Sequence, residues 1–546
     1  MAKQPSSRRK ETHVPVLIVG GGPVGLALAA ELGWRGVACR LVEQTDGAIH
    51  TPKMNEVNVR TMEFCRRWGI AERVHNCPFP ADYSMDIVFV TNMSGHELGR
   101  MKRPAKGATK PGPHSPMNLT ICSQKWFDPF LLDLARGFDG VDITHKCRMD
   151  SFELHAGGVT ARLTHIESGE EEIIHARYLA ACDGANSPIR RQLGIGLSGD
   201  EVISRPVHLF FRTPDLCRQL GIEEGTFFLA VDRDGMWANI RVIDPVDGLW
   251  RLMALDSPGD LRPEDIDREG MLRRALGRDL EVEWVGASIW TRRGVVADKY
   301  VDGPVFIVGD AAHQLSPTGA LGMNTGIGDA VDLGWKLAAV VQGWGGEKLL
   351  QSYQDERQPV GHRNVAMATQ FYESHVEFGE GVAAIEDDTP EGARMRADVG
   401  PKMTYEVSRM FRTAGLQLGY RYENSPVCVD DGAPPLPDDP ENFIPSARPG
   451  SRAPHAWLPD GRSTLDLFGK TFVLLRIGRD APAAHEFENA AKAAKMPFCI
   501  ESIEEPEISR LYERKLVLVR PDGHVAWRGD TAPEDCTAIL AKVCGR

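Results

Sequence analysis

The 546-residue sequence contains 11 cysteines, yet it has no Cys-x-x-Cys pair and no His/Cys cluster at zinc spacing. An odd number of scattered thiols fits a reducing compartment and excludes both a disulfide framework and a metal centre as the organising feature. No apolar run reaches the roughly 18 residues that a membrane span requires. Arg8-Arg9-Lys10 ahead of the apolar stretch from Val14 to Leu32 imitates a signal peptide, but that stretch contains Gly20-Gly21-Gly22-Pro23 and reads as strand, turn and helix instead. The expectation is a cytoplasmic protein with no membrane partner, residues 1 to about 12 forming a disordered tail. Positive charge is also short: 63 Lys and Arg face 76 Asp and Glu, a net charge of −13. That balance argues against a nucleic-acid partner, and any anionic ligand has to be met by local positive groups. Internal repeats and low-complexity blocks are absent. The apolar content of 42% supports a sizeable core, and the length implies two or three domains.

Two glycine-rich signatures stand out. In the first, the apolar run Val16-Leu17-Ile18-Val19 enters Gly20-Gly21-Gly22-Pro23-Val24-Gly25. Gly20 permits a tight turn, Gly22 lets the backbone approach a pyrophosphate, and Gly25 lets the following helix, Val24 to about Gly33, pack on the strand. That helix presents free N–H groups and a positive dipole end to phosphates. A second strand, Ala38 to Val42, ends on Glu43, where an acid is expected to accept from a ribose hydroxyl, and Gln44 follows it. Strand, glycine turn, helix and acid in this order identify a dinucleotide site.

In the second signature, Val305-Phe306-Ile307-Val308 runs into Gly309-Asp310-Ala311-Ala312-His313. Asp310 ends a strand, where it can accept from a sugar or ribityl hydroxyl. Pro317-Thr318-Gly319 and Gly322-Met323-Asn324 then lead into a helix whose dipole favours an anion on a ring system. A third piece, Cys182-Asp183-Gly184-Ala185-Asn186-Ser187-Pro188-Ile189-Arg190, ends a buried strand on Asp-Gly and can pin a turn against the same ligand.

Between the signatures the pattern predicts a helix from Val57 to Trp68, a hairpin from Asp86 to Val90 and His96 to Met101, a helix from about Lys125 to Arg136, and strands from Asp142 to Cys182. From Val207 to Trp290 the strands become antiparallel and aromatic-rich, with Phe228, Trp237 and Trp290 as candidate pocket walls. After the second signature, helix is expected from Gly326 to Gly343 and on to about Phe378. The proline-dense stretch Gly432 to Pro454 reads as a linker, and the tail from Ser463 reads as a small β/α unit.

These three segments, in this order, resemble the flavin-dependent aromatic hydroxylases, with the phenol and 2,4-dichlorophenol branch as the nearest likeness. The likeness covers about residues 14 to 380, and the tail is similar to the thioredoxin-like domain that ends several members. The resemblance implies an α/β fold: a Rossmann-like FAD-binding domain, an inserted antiparallel β-sheet substrate domain and a C-terminal thioredoxin-like domain. FAD-binding parts fall at 13–85, 115–200 and 293–395, and substrate-domain parts at 86–114 and 201–292. A connecting segment and linker occupy 396–453, and the last domain occupies 454–546. The resemblance assigns Gly20, Gly22, Pro23, Val24, Gly25, Glu43 and Gln44 to the ADP half of FAD. It gives Asp310 to the ribityl chain, and Pro317, Gly322, Met323 and Asn324 to the flavin ring. Lys53, Arg60, Gln124, Asp183 and Arg190 are further expected cofactor residues.

The implied reaction uses NAD(P)H and dioxygen to hydroxylate a small phenolic aromatic through a flavin hydroperoxide. The alternatives are a same-fold enzyme acting on a polycyclic or polyketide-like substrate by epoxidation or Baeyer–Villiger insertion, and a non-catalytic flavin-binding protein. A homodimer is compatible with this reading. Three positions depart from the family pattern. Lys53 stands where relatives place an arginine, and Ala320 replaces a glycine of the Pro-x-Gly-Gly stretch. Asn55 occupies a place where some members carry a catalytic acid or histidine. Because Asn55 cannot take a proton, the substrate-activating base is unassigned, with His50, His208, His313 and Tyr83 as candidates. Cys499 stands alone in the tail, which excludes dithiol chemistry there.

Overall fold

The computed structural model describes residues 10–377 and 382–546. Its centre is a mostly parallel sheet in the order Val305–Ile307, Glu171–Ala181, Lys10–Val19, Cys39–Val42 and Val141–Thr144. Helices Pro23–Trp34, Gln124–Arg136 and Gly322–Val341 cover it. The strand Lys10–Val19 begins within the stretch expected to be a tail: Lys10, Glu11 and Thr12 pair with Glu172, Ile173 and Ile174. Residues 1–9 lie outside the described residues. Pro15 falls inside this strand, and it is tolerated there because Cys39–Val42 pairs only from Val16 onward. The missing N–H therefore falls where the strand still has one neighbour.

An antiparallel pair, Cys147–His155 and Gly158–His165, extends this sheet from Glu171–Ala181. The inserted domain is a seven-stranded sheet in the order Glu283–Ile289, Val207–Arg212, Leu249–Ala254, Gly235–Asp244, Phe227–Asp232, Ile87–Val90 and Glu97–Met101. All pairings are antiparallel except Phe227–Asp232 with Ile87–Val90. This arrangement inserts the first hairpin into the same sheet as strands more than a hundred residues later. One face of the sheet joins the main core through Phe228, Ala230 and Ile240; the other carries Phe227, Leu229, Val231 and Met253 in a separate cluster.

Several boundaries differ from the sequence expectation. Val57 is strand, paired with Thr120, and the helix runs Val59–Arg67 behind an Asn58 cap whose side chain accepts from Thr61 N–H. The second-signature helix starts at Gly322, four residues earlier than expected. The following helix is Glu347–Glu377, and the expected end at Phe378 lies outside the described residues. The segment read as connecting chain contains the helix Pro390–Arg409, with Thr389 accepting from Gly392 N–H at its start. No membrane-spanning helix is present among the described residues.

The C-terminal unit has a four-stranded sheet in the order Phe498–Ile503, Phe472–Ile477, Leu516–Val519 and Val525–Gly529. Its first two strands are parallel and joined through helix His485–Ala493, while the last two form an antiparallel hairpin. Residues assigned to the linker add to this sheet: Gly450 and Ala453 donate to the Val525 and Gly523 carbonyls, and Ser451 accepts from Val525. The prolines around them stop regular structure but leave these N–H groups free to pair.

A buried ion cluster seals this unit to the FAD-type helices. Arg520 contacts Glu356, Asp332 and Asp522, and Lys336 donates to Asp332 at 2.7 Å and Glu356 at 2.6 Å. Asp332 and Lys336 belong to the helix Gly322–Val341. The last domain is thereby tied to the helix that opens the second signature. Arg452 adds a contact to Glu63 from the other side.

Candidate FAD and substrate site

The two signatures meet at Val24. A methyl added at Gly309 would lie 3.1 Å from a Val24 methyl, and one added at Gly326 would lie 2.6 Å from it. Small residues at these positions therefore let the loops of distant segments close on one another. Within the first loop the glycines do different work. Gly20 has φ +110°, and a side-chain carbon there would fall 2.2 Å from the Cys182 carbonyl oxygen. At Gly25 it would fall 2.0 Å from the Gly20 carbonyl oxygen. At Gly22 it would meet no protein atom within 4 Å, so this backbone faces open space. Pro23 occupies the first helical position, and no side chain caps the helix N-terminus. Glu43 accepts from Gly21 N–H and Thr45 N–H, both at 2.7 Å, tying the end of its strand to the glycine loop. Gln44 beside it is exposed.

At the second signature Gly309 adopts φ +63° and donates to Asp329 at 3.3 Å. Asp310 is exposed, yet protein surrounds it closely enough that desolvation raises its carboxyl above the usual range, with His313 and Lys53 pulling the other way. The helix Gly322–Val341 also starts without a side-chain cap, and an added carbon at Gly322 meets nothing within 4 Å. An open backbone at Gly22, an open backbone at Gly322 and an exposed acid at Asp310 fit an extended dinucleotide cofactor.

Other expected residues serve the scaffold. The Asn324 side chain is fully used: it accepts from Asn58 N–H and Thr61 Oγ1 and donates to the Glu56 and Ala320 carbonyls. Its side chain therefore binds protein, correcting the expectation that it faces the flavin. Arg60 is corrected likewise: it donates to Tyr420 and Glu63 and to the Asp522 carbonyl, in the seam with the last domain. Arg190 donates to the Ile195 carbonyl, Ser187 caps its N–H, and Asp183 accepts from Ile189, so the Asp-Gly motif builds a turn. One Asp183 oxygen remains buried without a partner. Gln124 joins the Lys53 N–H to Asp128, whose carboxyl burial pushes up to about 7. Pro317 is exposed in the loop ahead of the helix, and Met323 is half-buried in the first turn of the helix. Ala320 has φ +54°, the conformation that the glycine it replaces adopts without strain.

The four candidate bases stand in different settings. His208 is buried, desolvation holds it well below its ordinary range, and its Nε2 accepts from Trp290 Nε1 at 3.0 Å. His313 is fully buried against Asp329 at 2.6 Å. Burial pushes the Tyr83 hydroxyl up, and His50 is exposed.

A pocket opens between the second face of the seven-stranded sheet, the Pro317–Ala320 loop and Met410-Phe411. Its walls include Phe227 and Leu229, the residues flanking Phe228. Phe228 itself is fully buried on the opposite face against Trp250, so it is core and not a pocket wall, because alternate residues of a strand point to opposite faces. Trp237 is corrected for a different reason: a β-bulge between Met236 and Ala238 shifts the alternation, so Trp237 packs on the main core under Arg274 while Met236 lines the pocket. Trp290 packs at the margin of the pocket-side cluster, and Asn55 is buried with Nδ2 on the Val242 carbonyl and Oδ1 unpartnered. Arg241, Arg251 and Arg292 line the pocket and were missed by the sequence reading. The available signal was a charge inside buried strand runs, as in Ala238-Asn239-Ile240-Arg241-Val242 and Trp250-Arg251-Leu252.

Comparison with known proteins agrees with this geometry. The FAD binding domain model matches residues 13–368, and the model of the aromatic-ring hydroxylase C-terminal domain matches residues 446–546. The chain is 35% identical to a protein of Streptomyces halstedii described as a polyketide hydroxylase, over 94% of this chain and 93% of that one. It is 30% identical to a 4-methyl-5-nitrocatechol 5-monooxygenase of a Burkholderia species, over 98% of each. The solved structure of the rebeccamycin biosynthetic enzyme RebC with reduced flavin is similar at a TM-score of 0.89, with 38% identity over 98% of this chain and 99% of that one. With its glycine loop, its acidic anchor and its terminal domain all accounted for, the chain belongs to the FAD-dependent aromatic-ring hydroxylases and is an FAD-dependent monooxygenase.

Proposed function

We propose that the enzyme consumes NAD(P)H and dioxygen to hydroxylate a phenolic ring within a polycyclic, polyketide-like substrate. The observation that carries this reading is the pocket between the seven-stranded sheet and the Pro317–Ala320 loop, which adjoins the N-terminus of the helix at Gly322. Similarity to a polyketide hydroxylase supports the substrate class. FAD supplies the two-electron chemistry that activates dioxygen when it is bound. The chain's own residues bind, orient and shield. Gly22 and the N–H groups that follow receive the pyrophosphate, Asp310 accepts from a hydroxyl, and the N–H groups of Gly322 and Met323 face developing negative charge. Phe227, Leu229, Met236 and Phe411 exclude water from the ring to be hydroxylated.

A simple phenol is the second reading, favoured by similarity to the nitrocatechol monooxygenase. The test measures NADH and NADPH oxidation with a panel of fused-ring phenols and single-ring phenols, with product identification. The proposal expects fused-ring compounds to accelerate oxidation and gain one oxygen atom. Acceleration by single-ring phenols alone establishes the second reading, and no reduction by either nicotinamide refutes both.

A further inference from the structure

Three arginines line the substrate pocket, and one carboxylate, Glu56, answers them. Arg241 and Arg251 are directly opposed on adjacent antiparallel strands, so two like charges share one face. Arg241 is accounted for, donating to Glu56 at 2.8 Å. Arg251 is not. Only 8% exposed, it makes no hydrogen bond or ion pair among the described residues, and its Nε is buried without a partner. Arg292 comes from a different strand, Arg292–Ala297, and is 1% exposed. Its carbon stacks over the Tyr372 ring at 3.7 Å, while Nε and Nη1 are both buried and unpartnered. Asn239, on the same wall, leaves its Oδ1 unpartnered too.

A buried, unpaired guanidinium is costly, and a fold gains nothing from two of them side by side. Burial, together with the charge of Arg241, lowers Arg251 to about 9, and burial lowers Arg292 to about 10, so both remain cations at neutral pH. They stand in a protein whose overall charge is strongly negative. Their retention in the wall of a pocket is explained by a ligand that completes them.

We infer that Arg251 and Arg292 form an oxyanion subsite, and that the enzyme's aromatic substrate carries a carboxylate or an ionised hydroxyl that docks there. The inference rests on the functional reading above, and it narrows the substrate class from polycyclic aromatic to anionic polycyclic aromatic. The subsite also bears on the absent base. Two cations in a low-dielectric pocket favour the ionised form of a bound hydroxyl without a protein group to take the proton permanently. Asn55 is then no obstacle to activation.

The test is equilibrium binding of matched pairs to the FAD-loaded enzyme, followed by flavin absorbance or ligand fluorescence. One pair is an anthraquinone carboxylic acid and its carboxamide; the other is a hydroxyanthraquinone and its methyl ether. The expected result is at least tenfold tighter binding of the anionic member of one pair, which also identifies the group that docks. Arg251→Met and Arg292→Met each reduce that ratio towards one, and Lys at either position restores part of it. FAD content and thermal midpoint of the Met variants stay at or above wild type, a pattern that loss of a structural ion pair does not give. Equal binding of both members in both pairs overturns the inference, as does discrimination that survives in the Met variants. The functional reading fails separately, through absence of nicotinamide-driven flavin reduction with every ligand.

Discussion

Gly20 and Gly22 sit two residues apart in one loop, and the structure predicts opposite consequences when each becomes alanine. At Gly20, φ +110° lies in a region closed to residues with a side chain, which costs about 1–3 kcal/mol by itself. The added carbon would also sit 2.2 Å from the Cys182 carbonyl, in a chain held by the ladder between Lys10–Val19 and Glu171–Ala181. Relief requires moving one of two central strands. Gly20→Ala therefore destabilises the protein even without cofactor. At Gly22 the backbone is extended, φ −73°, and nothing in the protein lies within 4 Å of the new methyl. The apo protein gains about 0.4–1 kcal/mol through the stiffer unfolded chain. Cofactor binding suffers instead, because the methyl occupies the approach side of the pyrophosphate. Losing one charge-assisted N–H contact costs about 1.5–3 kcal/mol, which weakens FAD about 10- to 150-fold. Thermal unfolding of the apo proteins and quenching of FAD fluorescence separate the two effects. A Gly22→Ala protein that is destabilised without FAD, or that binds FAD like wild type, refutes this account of the loop.

Other substitutions test the remaining assignments. Phe228→Ala lowers stability by about 3–5 kcal/mol, as removal of a fully buried ring does, and leaves substrate preference unchanged; denaturant titration and the substrate panel check both. Ala320→Gly releases a left-handed alanine and stabilises the Pro317–Ala320 loop by up to about 1 kcal/mol, measured by thermal shift. Burial alone raises Glu63, but Arg452 and Arg60 outweigh it and hold the carboxyl below its ordinary 4.5. The seam contribution of Glu63 is accordingly present above about pH 4.5 and is lost as pH falls through the lowered value. Hydrogen exchange should show the strand Val525–Gly529 loosening in that acid window, and Glu63→Gln should remove the dependence.

The nucleotide loops were legible in the sequence because their chemistry is local. Gly20 and Gly309 take the positive φ of their own turns and Gly25 closes on the Gly20 carbonyl five residues back, even though Cys182 and Val24 crowd two of these glycines from distant segments. The strands of the inserted sheet were legible too, since apolar runs between turn residues mark them. What the sequence hid was sidedness. Phe228 and Phe227 are equally aromatic neighbours, and only the layers that pack on each face of the sheet decide which one meets the pocket. Arg60 and Asn324 lie in motifs that suggested cofactor contact, but partners more than 260 residues away claim their side chains. The helix Pro390–Arg409 was hidden by its own prolines, Pro390 at its start and Pro401 within it. Arg251 and Arg292 show their meaning only when the absence of partners is visible.

On the proposed reading, one FAD molecule extends from the glycine loop at Gly20–Gly25 to the acid at Asp310. The most direct test is the flavin content of the purified wild type and of Asp310→Ala, read from visible absorbance against protein concentration. The expected result is one flavin per wild-type chain and a variant that folds but loses the cofactor on gel filtration. A variant that keeps a full complement of FAD and remains active contradicts it.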